Sequence, residues 1–123
     1  MSVLAKGVVK IKIFGNYKLH IILTDDIKEA VKEYRLKIQH HFTDIDDKFD
    51  GVHIPVQDSS LESYLFLVST KPGVIAHEVF HAVTRILDLI GVSLVEESEE
   101  TYAYLLGYIV DEVHTILDKY NKI

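Results

Sequence analysis

The stretch TKPGVIAHEVFHAVTRILDLIG, residues 70–91, carries start and stop signals of a helix and, in its middle, two histidines four residues apart that bracket a glutamate. Thr70 can cap through its hydroxyl, Pro72 falls in the first turn where its missing N–H costs little, and Gly91 closes the apolar pattern. A helix over 70–90 is predicted. Residues four apart on a helix share a face, so the imidazoles of His77 and His81 can converge on one ion with bonds of about 2.0 to 2.1 Å. Glu78 projects about 100° round the helix from His77, beside that face, where it can polarise a water held by the ion. This is the H-E-x-x-H arrangement of zinc hydrolases.

Working outward, the alternation in VVKIKIF, the turn signal at Gly15 and Asn16, and the run YKLHIIL predict a β-hairpin. Thr24, Asp25 and Asp26 offer an N-cap to a helix over 27–38, with Ile27, Ala30, Val31, Tyr34 and Ile38 at helical spacing. VHIPV and SYLFLVS read as two strands separated by a polar turn over 57–60, and Pro55 confines the first to a sheet edge. A last helix is expected over 97–118, its apolar face formed by Leu106, Ile109, Val110, Val113, Ile116 and Leu117, with a Ser93 and Glu96 capping box able to start it earlier. Sheet material and one helix, followed by two longer helices, make an α+β domain.

The chain has 123 residues, 48% of them hydrophobic, which suits one globular domain with one modest core. With no cysteine, neither disulfides nor a thiolate zinc site can form, so any metal must be held by nitrogen and oxygen donors. A net charge of −6 with scattered lysines argues against a nucleic-acid partner. Lys6, Lys10 and Lys12 interrupt any signal-peptide core, and no apolar run approaches the roughly 20 residues that span a bilayer. A cytoplasmic protein without a membrane partner is expected.

A catalytic zinc normally takes three protein ligands and keeps one position open. Glu96, Glu97, Glu99 and Glu100 crowd the start of the last helix, and an antiparallel pair joined by a short loop brings that start towards the preceding helix. Ala103 and Gly107 give the face of Glu100 small side chains for close packing, which favours Glu100, with Glu96 and Glu99 as alternatives. His77, Glu78, His81 and Glu100, with eighteen residues between the last two, resemble the gluzincin metallopeptidases, and ETYA from Glu100 to Ala103 is similar to the E-x-x-A turn of the aminopeptidase type. Length and element order resemble minimal gluzincins and small phage-encoded peptidase-like proteins.

The resemblance implies one minimal zincin-like domain over 1–123: a short twisted sheet with a backing helix, an active-site helix and a C-terminal glutamate helix. It also implies Zn2+ held by His77, His81 and Glu100, with Glu78 as general base and acid in hydrolysis of a peptide or protein substrate. Such substrates usually lie along an edge strand, here near 52–56 or 64–69. Where many members have an aspartate that supports a zinc-bound histidine, this chain has Tyr104, taken as a catalytic candidate together with Tyr102, Tyr108 and His114 for the oxyanion. Thr84 and Leu87 stand where a metzincin needs Gly and His, which sets that branch aside.

Blander readings compete with each of these. The histidines can be core residues, the acids can favour a helix N-terminus, and the tyrosines can be packing residues. His40 and His41, with Asp44, Asp46 and Asp47, read as a solvated loop. The functional alternative to a peptidase is a zincin-fold binding module, such as a phage-encoded modulator of a host protein, with little or no hydrolysis.

Overall fold

A computed structural model describes residues 3–12, 16–34, 49–56 and 61–121. The expected turn at Gly15, positions 35–38 of the expected first helix, the expected loop with His40 and His41, and the expected turn over 57–60 lie outside these residues, and the first helix itself stops at Glu33 with Tyr34 as its C-cap. The elements run β1 (Val3–Ile11), β2 (Tyr17–Thr24), α1 (Ile27–Glu33), β3 (Gly51–Pro55), β4 (Glu62–Leu67), α2 (Pro72–Leu89), a single 3-10 turn (Glu96–Ser98) and α3 (Glu99–Asn121). The architecture is α+β, as the order of patterns predicts. Among the described residues no helix is long and apolar enough to cross a membrane.

The strands form one mixed sheet in the order β1-β2-β4-β3. β1 and β2 pair antiparallel, β2 and β4 parallel with Ile21 opposite Leu65, and β3 and β4 antiparallel with Val52 opposite Phe66. The inner strands β2 and β4 are covered on both faces, which is why HIIL and YLFL read as nearly unbroken apolar runs. On one face Leu19, Ile21, Leu23, Leu65 and Leu67 meet the buried stripe of α2 and α3. On the other, Ile22, Ile54, Tyr64 and Phe66 meet Ile27, Ala30 and Val31 of α1, whose first turn is capped by Asp26 accepting from the Glu29 N–H.

Strand β3 is a sheet edge, as Pro55 implies. Its partner pattern shows how the proline is accommodated: the Val56 N–H donates to the Glu62 carbonyl, and the Asp50 carbonyl accepts from Val68. Alternation then turns Gly51, His53 and Pro55 outward, so Pro55 forfeits no bond to β4. Strand β4 has neighbours on both sides, which removes residues 64–69 as an edge.

Helix α2 begins one residue later than Thr70 would dictate. The cap position is Lys71, held extended before Pro72, and it is the Lys71 N–H that finds a side chain, Ser69 Oγ at 3.1 Å. At the other end Gly91 adopts φ +77, and the Gly91 and Val92 amides donate to the Asp88 and Leu87 carbonyls. Ser98, and not a Ser93 and Glu96 box, organises the entry to α3: its Oγ accepts from the Val95 N–H and donates to the Ser93 carbonyl. The buried face of α3 is Tyr102, Leu105, Ile109, Val113 and Leu117. α2 lies over β3 and β4, and α3 over β1 with a lighter contact to β2.

Candidate metal centre

The helical register of α2 decides which of its residues reach the site. Ile75, Val79, Ala82, Val83 and Ile86 are buried against the sheet and α3, which turns His77 and His81 outward on the flank towards β3. Their ring centroids are 5.0 Å apart, edge to face at 78°. One ligand atom from each of His77, Glu78 and His81 lies within 4.8 Å of the other two, the group that could hold a metal ion among the described residues. Donors on a tetrahedral zinc stand about 3.4 Å apart, closer than the 4.8 Å limit within which these atoms lie. The set is nitrogen and oxygen only, in keeping with a chain that lacks cysteine.

Glu78 differs from its neighbours. Its side chain is 11% exposed against 68% for His77, and its Oε2 lies 3.7 Å from His77 Nε2. Burial pushes its carboxyl above the ordinary carboxylate value, while the two histidines pull it back. Gly51 of β3 makes that burial possible: a Cβ there would come within 2.8 Å of Glu78 Cγ and 3.1 Å of the Phe66 carbonyl oxygen. The strand therefore presses its backbone directly onto the glutamate.

The surrounding cleft, of about 630 Å³, is lined by Phe49, Asp50, Gly51 and Val52 on one side and by Gly73, Val74 and the three polar residues of α2 on the other. Next to it His53 occupies the same wall. Its Nε2 is 2.8 Å from Ser63 Oγ, which also accepts from Tyr17 Oη at 2.8 Å, so a short polar chain runs from the sheet interior to the cleft. Burial lowers the His53 pKa to about 4, with His81 and Arg85 adding to the effect. The Ser63 hydroxyl and the Tyr17 phenol are both deeply buried, and burial raises the Tyr17 pKa.

The remaining expected site residues lie elsewhere. Glu100 is exposed in the first turn of α3 and does not belong to the His77, Glu78 and His81 group. Two residues on, Tyr102 Oη donates to the Val92 carbonyl, which ties this turn to the end of α2. His81 precedes Leu89, the last residue of α2, by eight positions, about 12 Å along the axis. Ala103 and Gly107 do not pack on α2 as their size suggests: both are exposed, and a Cβ on Gly107 would meet nothing within 4 Å. Glu96 and Glu99 are exposed as well.

Tyr104 is 76% exposed and lines a different cleft, with Lys10, Lys12, Leu87 and Tyr108. Tyr108 Oη donates to the Lys10 carbonyl, and His114 is half-buried further along α3. Sequence reasoning passed over Gly51, His53 and Arg85. A signal for the first two existed in the period of GVHIP, which places Gly51 and His53 on one side of the strand, but only the sheet order shows that this side faces the histidines.

The chain matches no protein-family model, no curated protein and no solved structure.

Proposed function

We propose that this protein is a zinc-dependent metallopeptidase built on a minimal zincin-like domain. The observation that carries the reading is the convergence of His77, Glu78 and His81 in a cleft flanked by the sheet edge β3. His77 and His81 would hold the ion, with Glu100 as third donor. The Glu100 side chain makes no hydrogen bond or ion pair with a described residue, and its joining the set requires the first turn of α3 to approach His81. When bound, zinc supplies the Lewis acidity that activates water and polarises a carbonyl.

The rest of the chemistry belongs to the chain. Glu78, its carboxyl pushed up by burial, takes a proton from the attacking water and returns it to the leaving amine. Gly51 and His53 turn backbone groups outward on β3, where an extended peptide adds as a further strand. His53, kept uncharged at neutral pH, can give this cleft a fixed wall without adding positive charge beside the ion.

A second reading has one observation in its favour: Glu78 is itself one of the three assembled donors. If it ligates the metal, no base remains, and the protein is a metal-binding module that acts through a protein partner without hydrolysis. Zinc content and cleavage of unfolded protein substrates, measured on wild type and Glu78→Gln, separate the two. The peptidase reading expects Glu78→Gln to keep zinc and lose cleavage. Loss of zinc in that variant supports the binding module, and cleavage that survives the substitution overturns the role of Glu78.

A further inference from the structure

Past His81 the groove continues for another turn of α2. His77, His81 and Arg85 follow at four-residue spacing along one stripe of the helix. Arg85 lines a space of about 400 Å³ with His53, Thr84 and Asp88, and this space shares Val52, Glu78 and His81 with its wall. Val52, Glu78 and His81 also line the metal-side cleft, so the two adjoin along these side chains.

Arg85 is half-buried, yet no hydrogen bond or ion pair joins its guanidinium to a described residue. Asp88, three residues on, is exposed and makes no ion pair with it. A guanidinium cannot shed its charge, and since no side-chain nitrogen among the described residues is fully buried without a partner, its donors stay open to whatever enters the groove. Its planar fork of donors matches a carboxylate. The wall facing it is held in place, since His53 is fixed through Ser63 and Tyr17. The chain as a whole carries −6, so its surface repels acidic ligands at large and a local cation inside the groove is what would admit one. Along the helix Arg85 stands about 6 Å beyond His81, the span of roughly two residues of extended chain.

We propose that Arg85 anchors a carboxylate of the ligand, so that the groove takes extended peptides bearing an acidic side chain or a free C-terminus one or two residues from the point held at His77 and His81. This rests on the peptide-binding, metal-bearing reading of the site and names its ligand class.

The test uses three fluorescein-labelled pentapeptide pools, varied among neutral residues: one with a fixed central Glu and an amidated end, one with Gln and an amidated end, one with Gln and a free C-terminal carboxylate. Binding to the zinc-supplied Glu78→Gln chain is read by anisotropy, with zinc content measured on the same samples. One of the carboxylate pools should bind about tenfold tighter than the neutral pool, and which one it is identifies the source of the carboxylate. Arg85→Gln should shrink that advantage to within about twofold at unchanged zinc content and unchanged circular dichroism, and Arg85→Lys should keep part of it. Equal or absent binding of all three pools, or an advantage that survives Arg85→Gln, overturns the proposal. No cleavage enters the readout: a chain without zinc counts against the metal reading, whereas zinc without discrimination counts against Arg85 alone.

Discussion

On α2 the exposed flank carries His77, His81 and Arg85 and looks onto the sheet edge β3, whereas on α3 the exposed flank carries Glu100, Ala103, Tyr104 and Gly107 and lies opposite a buried stripe that packs towards β1. Both flanks are polar and both were expected to supply donors to one metal. The first assembles a donor set by itself, because the period of a single helix dictates the distance between residues four apart. The second depends on how α3 is rotated about its axis. That rotation is set by Tyr102, Leu105, Ile109, Val113 and Leu117, which turn Glu100 and Tyr104 away from the core. Burying five large apolar side chains, each contributing roughly 1.5 to 3 kcal/mol, outweighs any preference of one carboxylate for one direction.

Substitutions can break or sharpen this contrast. The largest effect is expected at Glu78: Glu78→Gln should lower peptide cleavage by about 10²- to 10⁴-fold while zinc stays bound, measured as initial rates on samples of known metal content. The wall of the groove comes next. His53 has a folded pKa of about 4 against 6.5 in the unfolded chain, so the unfolded state binds the extra proton. Stability should therefore be flat above about pH 6.5 and fall as the pH drops towards 4, by about 3 kcal/mol in all. Glu78, with its raised pKa, contributes in the opposite sense: its share is present at low pH and lost as pH rises through its folded value. The difference in unfolding free energy between wild type and His53→Asn, followed from pH 7 to 4, isolates the histidine. A difference independent of pH would mean that His53 is not held uncharged.

At Glu100 the expected effect is smaller. Glu100→Ala should weaken zinc binding by about tenfold or more, less than the loss of either histidine, because the donors of α2 are already together. Competition with a chromogenic chelator measures this, and unchanged affinity would remove α3 from the site. Gly51→Ala should cost about 1 to 3 kcal/mol, since its Cβ must displace Glu78 Cγ or the backbone of β4, and it should lower cleavage along with stability. Chemical denaturation that shows no loss would mean that β3 can retreat and that the glutamate is not pressed by it.

What is legible in the sequence alone follows the same division between local and remote. Residues 70–91 announced their helix through Pro72, Gly91 and an apolar period, and the spacing of His77 and His81 needed no partner element. Pro55 placed β3 at an edge for a reason internal to the strand. By contrast, the parallel pairing of β2 with β4 joins segments more than forty residues apart, and no turn signal marks it. His53 and Arg85 carry no motif; they enter the groove because β3 lies beside the flank of α2. Thr70 misled because its hydroxyl suits a cap, while Pro72 reserves the cap position for Lys71. Ala103 and Gly107 misled because small residues serve close packing and solvent exposure equally well.

Metal content tests most directly whether α2 by itself assembles the core of a zinc site. Plasma mass spectrometry on wild type, His77→Ala, His81→Ala and Glu78→Gln, purified without chelator and then supplied with zinc, should find about one zinc per chain in wild type and Glu78→Gln and a clear loss in both histidine variants. A wild-type chain that takes up no zinc, or histidine variants that keep it undiminished, would contradict the account and return His77 and His81 to the status of surface residues.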